Sequence, residues 1–398
     1  MSPTRCFVSG AMAFLRGDIF LHGLARWVSW GLCSVVGRSL RTVEVVAHLP
    51  RSTQMMKINI FTKTVGRNGG TERYSFGFID WLVQQKIAVN VYCTKKEMGI
   101  EGANIQVVKT SARGRLWKLL ALQKIFSNIV ARDPTTKTIG FIRAGKPDFF
   151  RTGGGCHRRW IAENGSGPVD WLECQFDKQT MNNAQRVIAN SQLAINDIKK
   201  FYGIPNEKLS LVRNGVDLRR FQPSLQRNNK IPQLVFIGNG FHRKGLATAI
   251  KMLQYFQCTL VVVGVDPKAS WYKKLAWKIG VGERVSFLGH TPNPESVLQQ
   301  SDLLVLPTLY DPSANVCLEA LACGIPVVTS RNNGMCEILP FDWMTVADPK
   351  DAYGFALSAQ KALHKSGLGH KCRELAMTFS QEKSYEQLFH VLFSENNT

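Results

Sequence analysis

Residues 311–330 read DPSANVCLEALACGIPVVTS, and this stretch decides how the chain is built. An apolar run at 303–306 precedes it and reads as a strand. Asp311 then falls in a loop, Glu319 falls inside a helix that Gly324 closes, and the apolar residues at 327–329 read as the next strand. Strand, loop, helix and parallel strand make one unit of a doubly wound α/β sheet, and such sheets bind ligands beyond the carboxyl ends of their strands. One carboxylate in the loop and one on the helix can accept hydrogen bonds from two hydroxyl-bearing parts of a long ligand, such as a sugar and a ribose. Taken alone, Asp311 beside Pro312 also reads as a turn former, and Glu319 as a solvated helix residue.

The same pattern spreads outward. In the second half, strands are expected at 233–237, 260–263, 285–287, 303–306 and 327–329 with helices between them, and a helical tail from about 352 to 393. In the first half, strands are expected at 58–62, 89–93, 105–109, 138–142 and 187–190, with a helix after 70 whose apolar stripe is Tyr74, Phe78, Trp81 and Leu82. The segment 210–223, with its Asn214-Gly215 turn and Pro223, reads as the link between halves. At 398 residues and 44% hydrophobic content the chain is long enough for two cores.

A second chemical site follows the strand at 233–237. Gly238-Asn239-Gly240-Phe241-His242-Arg243-Lys244-Gly245 runs into a helix expected from Leu246. The glycines allow a ligand close to the backbone, and Arg243 with Lys244 can neutralise a diphosphate. The glycine loop of the first half, with Gly66, Gly69 and Gly70, follows neither the Gly-x-Gly-x-x-Gly order nor a Walker pattern. It is either a close-approach loop or a tight turn. The run Arg151-Thr152-Gly153-Gly154-Gly155-Cys156-His157-Arg158-Arg159-Trp160 stands apart, because three successive glycines are costly to order. His157 can hydrogen-bond a transferred sugar or its acceptor there, and Arg158 and Arg159 can hold an acceptor phosphate. The alternative is a flexible basic loop.

At these residues the chain resembles family 4 of the retaining glycosyltransferases. That family's signature is two acids with seven residues between them, followed by Ala-x-x-x-Gly-x-Pro-Val; here Glu319, Ala320, Gly324, Pro326 and Val327 stand in order. The first acid, usually Glu, is Asp311. Bacterial lipopolysaccharide-core enzymes of this kind also carry a run similar to 151–157, often with an acid where Gly154 stands here. The resemblance implies the GT-B architecture: two Rossmann-like, doubly wound parallel-sheet domains facing an interdomain cleft. It implies an acceptor-binding domain at 56–225, a nucleotide-sugar domain at 226–375, and a last helix at 376–398 returning to the first domain. It also implies a catalytic set of Arg243, Lys244, Asp311 and His157, with the cations on the donor diphosphate and Asp311 on hydroxyls of the transferred sugar. Donor binding falls to Gly69, Gly70, Gly238, Asn239, Gly240, Asn315, Val316 and Glu319, the last on the ribose, and acceptor binding to Arg158 and Arg159. No Asp-x-Asp pair offers a metal site, so no metal and no cofactor are expected beyond the nucleotide-sugar substrate, taken as UDP-glucose. A front-face route, in which the departing phosphate takes the acceptor proton, is the commonly proposed mechanism for such enzymes.

Charge bears on the partner. The formal net charge is +21, which calls for an anionic one. Between positions 109 and 159 twelve Lys and Arg face only Asp133 and Asp148. The segment 114–125, basic and bearing Trp and Leu, can lie on anionic lipid or pack as an ordinary amphipathic helix. These features suit a cytoplasmic enzyme, peripheral on the inner face of the membrane, that modifies a glycolipid such as the lipopolysaccharide core. A sugar-nucleotide epimerase would share the donor site without a lipid-facing patch. A nucleic-acid-binding protein would share the charge, but no stacking platform, zinc motif or recognition helix appears, so no nucleic-acid partner is expected. The ten cysteines are scattered, with no Cys-x-x-Cys pair, and read as reduced thiols. Residues 1–55 are arginine-rich and carry no apolar run of the roughly 18 residues a spanning helix needs. They read as a membrane-surface arm, a presequence, or translation from an early start; the strand-like opening at Met56 favours the last.

Overall fold

A computed structural model of the chain describes residues 56–67, 69–165, 167–224 and 229–393. The expectations for residues 1–55 lie outside them. Two sheets, both wholly parallel, organise the rest. The first contains β1 (Lys57–Val65), β2 (Ala88–Lys96), β3 (Ala103–Val107), β4 (Lys137–Gly140), β5 (Phe149–Thr152), β6 (Arg186–Ala189) and β7 (Leu209–Leu211), in the order β3-β2-β1-β4-β5-β6-β7. The second contains β8 (Gln233–Ile237), β9 (Thr259–Val263), β10 (Val285–Gly289), β11 (Leu303–Leu306), β12 (Val327–Ser330) and β13 (Thr345–Val346), in the order β10-β9-β8-β11-β12-β13. In each sheet the order reverses beside the first strand, at β1/β4 and at β8/β11. The loops after those strands open the crevice where such folds take ligands.

Burial follows from this topology. Strands covered by helices on both faces lose alternation and become continuous apolar runs; β11 and β12 are buried at every position. The second-lobe core gathers Leu234, Phe236, Leu260, Val262, Leu304 and Leu306 with helix residues such as Phe355. The first-lobe core gathers Ile58, Ile60, Phe78, Val89 and Ile139. Into that core drop Tyr385, Leu388, Phe389 and Leu392 of the last helix, Gln381–Phe393. The chain crosses between lobes where Val216 N donates to Phe379 O at 2.9 Å and Gln381 N to Val216 O at 3.1 Å. Gly215 is required at this crossing, because a Cβ there would lie 2.6 Å from Gln381 Cα.

Three strands, β5, β7 and β13, were not among those expected, and β7 shortens the link between lobes, since Ser210 and Leu211 belong to the sheet. Strands this short carry too little alternation to announce themselves. The helix expected from Leu246 is preceded by a short one, Phe241–Lys244, that itself carries both cations. Among the described residues no helix is long and apolar enough to cross a membrane, and Cys93, Cys156, Cys258, Cys317 and Cys372 are free and buried.

Candidate active site

The second-lobe wall of the crevice is built from two loops at adjacent strand ends. After β8, Gly238, Asn239 and Gly240 lead into the helix Phe241–Lys244, which Gly245 ends in the left-handed region at φ 78°. A Cβ on Gly245 would meet the Pro307 carbonyl carbon at 2.6 Å. Glycine therefore lets the cationic turn lie directly against the loop after β11. There Lys244 Nζ donates to Asp311 Oδ2 at 2.6 Å, and Arg243 Nη1 donates to the same oxygen at 2.9 Å and to Tyr310 O at 3.1 Å. Asp311 Oδ1 accepts from Ser313 N at 3.1 Å, and Asp311 N donates to Asn332 O at 3.0 Å. Lys244 and Asp311 are only 8% and 7% exposed. Burial, the largest single influence, pushes the Asp311 carboxyl up; Lys244 and Arg243 together outweigh it and hold the group below the usual carboxylate range. Two cations on one carboxylate leave the cluster net positive, suited to a diphosphate leaving group.

The helix Asn315–Ala322 rises from the same loop and carries Glu319. Facing it across the crevice, the first lobe offers the helix Gly70–Gln84 and the loop after β5. Gly70 comes so near Asn315 that a Cβ would lie 3.3 Å from its Nδ2. Arg73 Nη1 donates to Glu319 Oε1 at 2.6 Å, and Asn214 Nδ2 donates to Asn315 Oδ1 at 2.6 Å. Asn214 is itself held by Arg151 Nη2 at 2.7 Å, a guanidinium that lies 3.8 Å from the Tyr74 ring centroid. Glu337 of the second lobe accepts from Gln192 N at 3.0 Å and Leu193 N at 2.6 Å, at the amino end of the helix Gln192–Tyr202. An acid at a helix amino terminus is favoured by the helix dipole. The cleft enclosed between these walls has a volume of about 900 Å³, and its lining includes Gly69, Gly70, Arg73, Gly238, Asn239, Arg243, Lys244, Asp311, Asn315, Val316 and Glu319.

A second chamber of about 830 Å³ joins this cleft at Thr71, Glu72, Phe141, Arg151, Gly153 and Gly154 and runs into the first lobe alone. Leu119, Leu122, Phe150 and Phe176 supply apolar wall, and Lys63, Lys109 and Lys118 stand around it with no ion pair among the described residues.

His157, Arg158 and Arg159 are not brought to either cavity. Gly155 turns the chain away, and His157 begins the helix His157–Asn164 as a buried residue stacked on Trp160 at 5.6 Å. Its Nε2 lies 3.2 Å from Glu173 Oε2 and 3.7 Å from Asp170 Oδ1. Burial first, then the Arg143 charge, lowers its pKa. These three side chains lie close enough to hold a metal ion, but Arg115 spans both acids, at 2.8 Å from Asp170 and 2.7 Å from Glu173. Arg158 donates to Phe201 O at 3.5 Å, and Arg159 pairs with Glu163 at 2.8 Å, an i,i+4 helix contact. The roles of Arg73 and Asn214 at the cleft are not evident in the sequence, where Asn214 reads only as a turn residue; the one signal for Arg73 is its place in the first helical turn after a glycine loop.

The family described as "Glycosyl transferases group 1" matches residues 218–378, and "Glycosyltransferase Family 4" matches residues 68–220, so the two adjoin at the link between lobes. An uncharacterized glycosyltransferase of Methanocaldococcus jannaschii is 25% identical over 224 residues, 51% of this chain and 56% of the relative; the chain thus spans little more than half its length. Among solved structures, WaaG, a glycosyltransferase involved in lipopolysaccharide biosynthesis, superposes with a TM-score of 0.71 at 19% identity, over 85% of this chain and 100% of WaaG. HepE of Anabaena, in complex with UDP-glucose, superposes with a TM-score of 0.68 at 16% identity, over 85% and 100% of the two chains. At such identities these likenesses show the fold alone.

Proposed function

The chain is a family 4 glycosyltransferase with the GT-B fold, and on that premise we propose that it moves a hexose, glucose from UDP-glucose, onto a hydroxyl of a phosphorylated glycolipid such as the lipopolysaccharide core, with retention of configuration. The observation that carries this reading is the pair Arg243 and Lys244, fixed on the buried Asp311 at the β8/β11 switch point. In the proposed step the acceptor oxygen bonds to the anomeric carbon as the bond from that carbon to the diphosphate breaks. The departing phosphate takes the acceptor proton, and the two cations stabilise the charge it gains without a divalent metal. Glu319 holds the ribose. Asp311, with both oxygens engaged by protein groups, aligns the cations.

The acceptor reading rests on the second chamber, where Lys63, Lys109 and Lys118, in no ion pair among the described residues, stand beside apolar walls and suit an anionic, partly lipidic molecule. The helix Arg115–Arg132 forms one side of that chamber through Lys118, Leu119 and Leu122. Its outer face leaves Leu116, Trp117 and Leu120 at 38%, 64% and 38% exposure, and Trp171, next to the Arg115 partner Asp170, at 70%. Exposed apolar residues on a helix that also carries Lys118 and Lys124 suit an anionic membrane surface on the cytoplasmic side. Incubating the chain with UDP-glucose and a lipopolysaccharide-core acceptor tests the reading. Release of UDP with an α-linked glucosylated product supports it. An altered donor with no acceptor product would point to an epimerase, and no turnover of any UDP-sugar would reject the donor assignment.

A further inference from the structure

The Glu319 carboxylate already has a partner, because Arg73 Nη1 donates to its Oε1 at 2.6 Å from the opposite lobe. Both side chains line the cleft, with 34% and 10% of their surface exposed. The arginine is held in the first turn of its helix, where its backbone N donates to Gly69 O at 3.0 Å, directly after the glycine loop that approaches Asn315. We propose that Arg73 is a positioning residue for donor recognition: it fixes the Glu319 carboxylate so that both ribose hydroxyls meet it in one orientation. This role rests on the proposed function, in which Glu319 holds the ribose.

The chemistry permits this without displacement. An ionised carboxylate has about four lone-pair sites on its two oxygens; one guanidinium N–H occupies one of them and leaves room for two hydroxyl donors. A guanidinium bond also restrains a side chain that would otherwise sample several rotamers. Because Arg73 belongs to the first lobe and Glu319 to the second, the contact exists only when the walls stand this close. Selection for ribose is thereby tied to the approach of the lobes. A pair this accessible adds little to folding stability, so its loss is expected to appear in recognition and to leave the unfolding midpoint almost unmoved.

The test measures dissociation constants of the full chain for UDP, 2′-deoxy-UDP and 3′-deoxy-UDP, in the wild type and in Arg73→Gln, Arg73→Lys, Glu319→Gln and the Arg73→Gln/Glu319→Gln double variant. The wild type is expected to prefer UDP over each deoxy analogue by roughly tenfold or more, the size of a hydrogen bond to a charged group. Glu319→Gln should erase most of that preference, Arg73→Gln should do nearly the same, and the double variant should lose nothing further. Arg73→Lys should restore part of it, since a lysine keeps the charge with a single-point contact. If Arg73→Gln weakens all three ligands equally and keeps the wild-type preference, Arg73 is only part of the wall and the inference fails while the Glu319 reading stands. If Glu319→Gln also keeps the preference, or the wild type binds no UDP, the Glu319 reading falls and takes the inference with it. Should Arg73→Gln fail to fold, Arg73→Lys decides by the same comparison.

Discussion

On the second-lobe wall of the cleft, Arg243 and Lys244 are locked onto Asp311 at 2.9 and 2.6 Å, with Lys244 and Asp311 buried and Arg243 half-buried. In the first-lobe chamber, Lys63, Lys109 and Lys118 stand exposed with no ion pair among the described residues. A preorganised charge cluster is already paid for in folding energy and does not reorganise when a diphosphate arrives, which suits stabilisation of a leaving group. Loose lysines on long stems adapt to a ligand of variable shape but contribute less per contact. Under the proposed function, this difference gives the demanding chemistry to the donor side and tolerant recognition to the acceptor side.

If that division holds, the rigid wall should respond most strongly to mutation. Lys244→Ala should cut turnover by roughly 10²-fold or more, by analogy with losing an oxyanion donor; near-normal turnover in a folded variant would return Lys244 to a structural role. Asp311→Asn should weaken UDP and UDP-glucose alike, roughly tenfold through loss of a charged hydrogen-bond acceptor. A deficit confined to the sugar conjugate would instead place Asp311 on the sugar. At the interlobe crossing, Gly215→Ala should destabilise the fold by about 1–3 kcal/mol, the usual range for overpacking, which denaturant unfolding would read directly.

Smaller effects belong to the periphery. The folded pKa of His157 lies below its unfolded value of about 6.5. The stability it contributes is therefore fully present above that pH and is lost as pH falls toward the depressed value. His157→Gln should flatten this part of the stability profile; an unchanged slope would mean the imidazole is not desolvated as its burial indicates. On the acceptor side, Trp117→Ser should reduce binding to anionic vesicles, and raising salt should weaken what remains. Equal binding at low and high ionic strength would remove the electrostatic part of the membrane reading.

Contiguity decides which parts of the fold and the site were legible in the sequence. The rigid wall comes from two short runs, 238–245 and 311–319, whose glycines, cations and acids lie close in the chain. Their order relative to apolar strands placed them at one sheet edge. The first-lobe wall is assembled from residues as far apart as Arg73, Arg151 and Asn214, and only the β1-β4-β5 pairing and the chain crossing bring them together. His157 lies away from its expected place for a related reason. Its glycine run does reach the cleft through Gly153 and Gly154, but the helix that starts at His157 carries the imidazole and the two arginines behind it. Composition could not tell Arg151, a buried guanidinium stacked on Tyr74, from the exposed basic residues around it.

If the cleft between the lobes is a nucleotide-sugar site organised by Lys244, ligand-induced stabilisation should depend on that one side chain. Thermal unfolding of wild type and Lys244→Ala with UDP, ADP, GDP and CMP, each alone and as a sugar conjugate, reads this dependence. A ligand at a hundred times its dissociation constant adds about 2.7 kcal/mol to native stability. The wild-type midpoint should rise clearly with UDP and UDP-glucose, and most of that rise should be lost in the variant. A wild-type midpoint that ignores every nucleotide while moving with an anionic polymer would be incompatible with a donor site in this cleft.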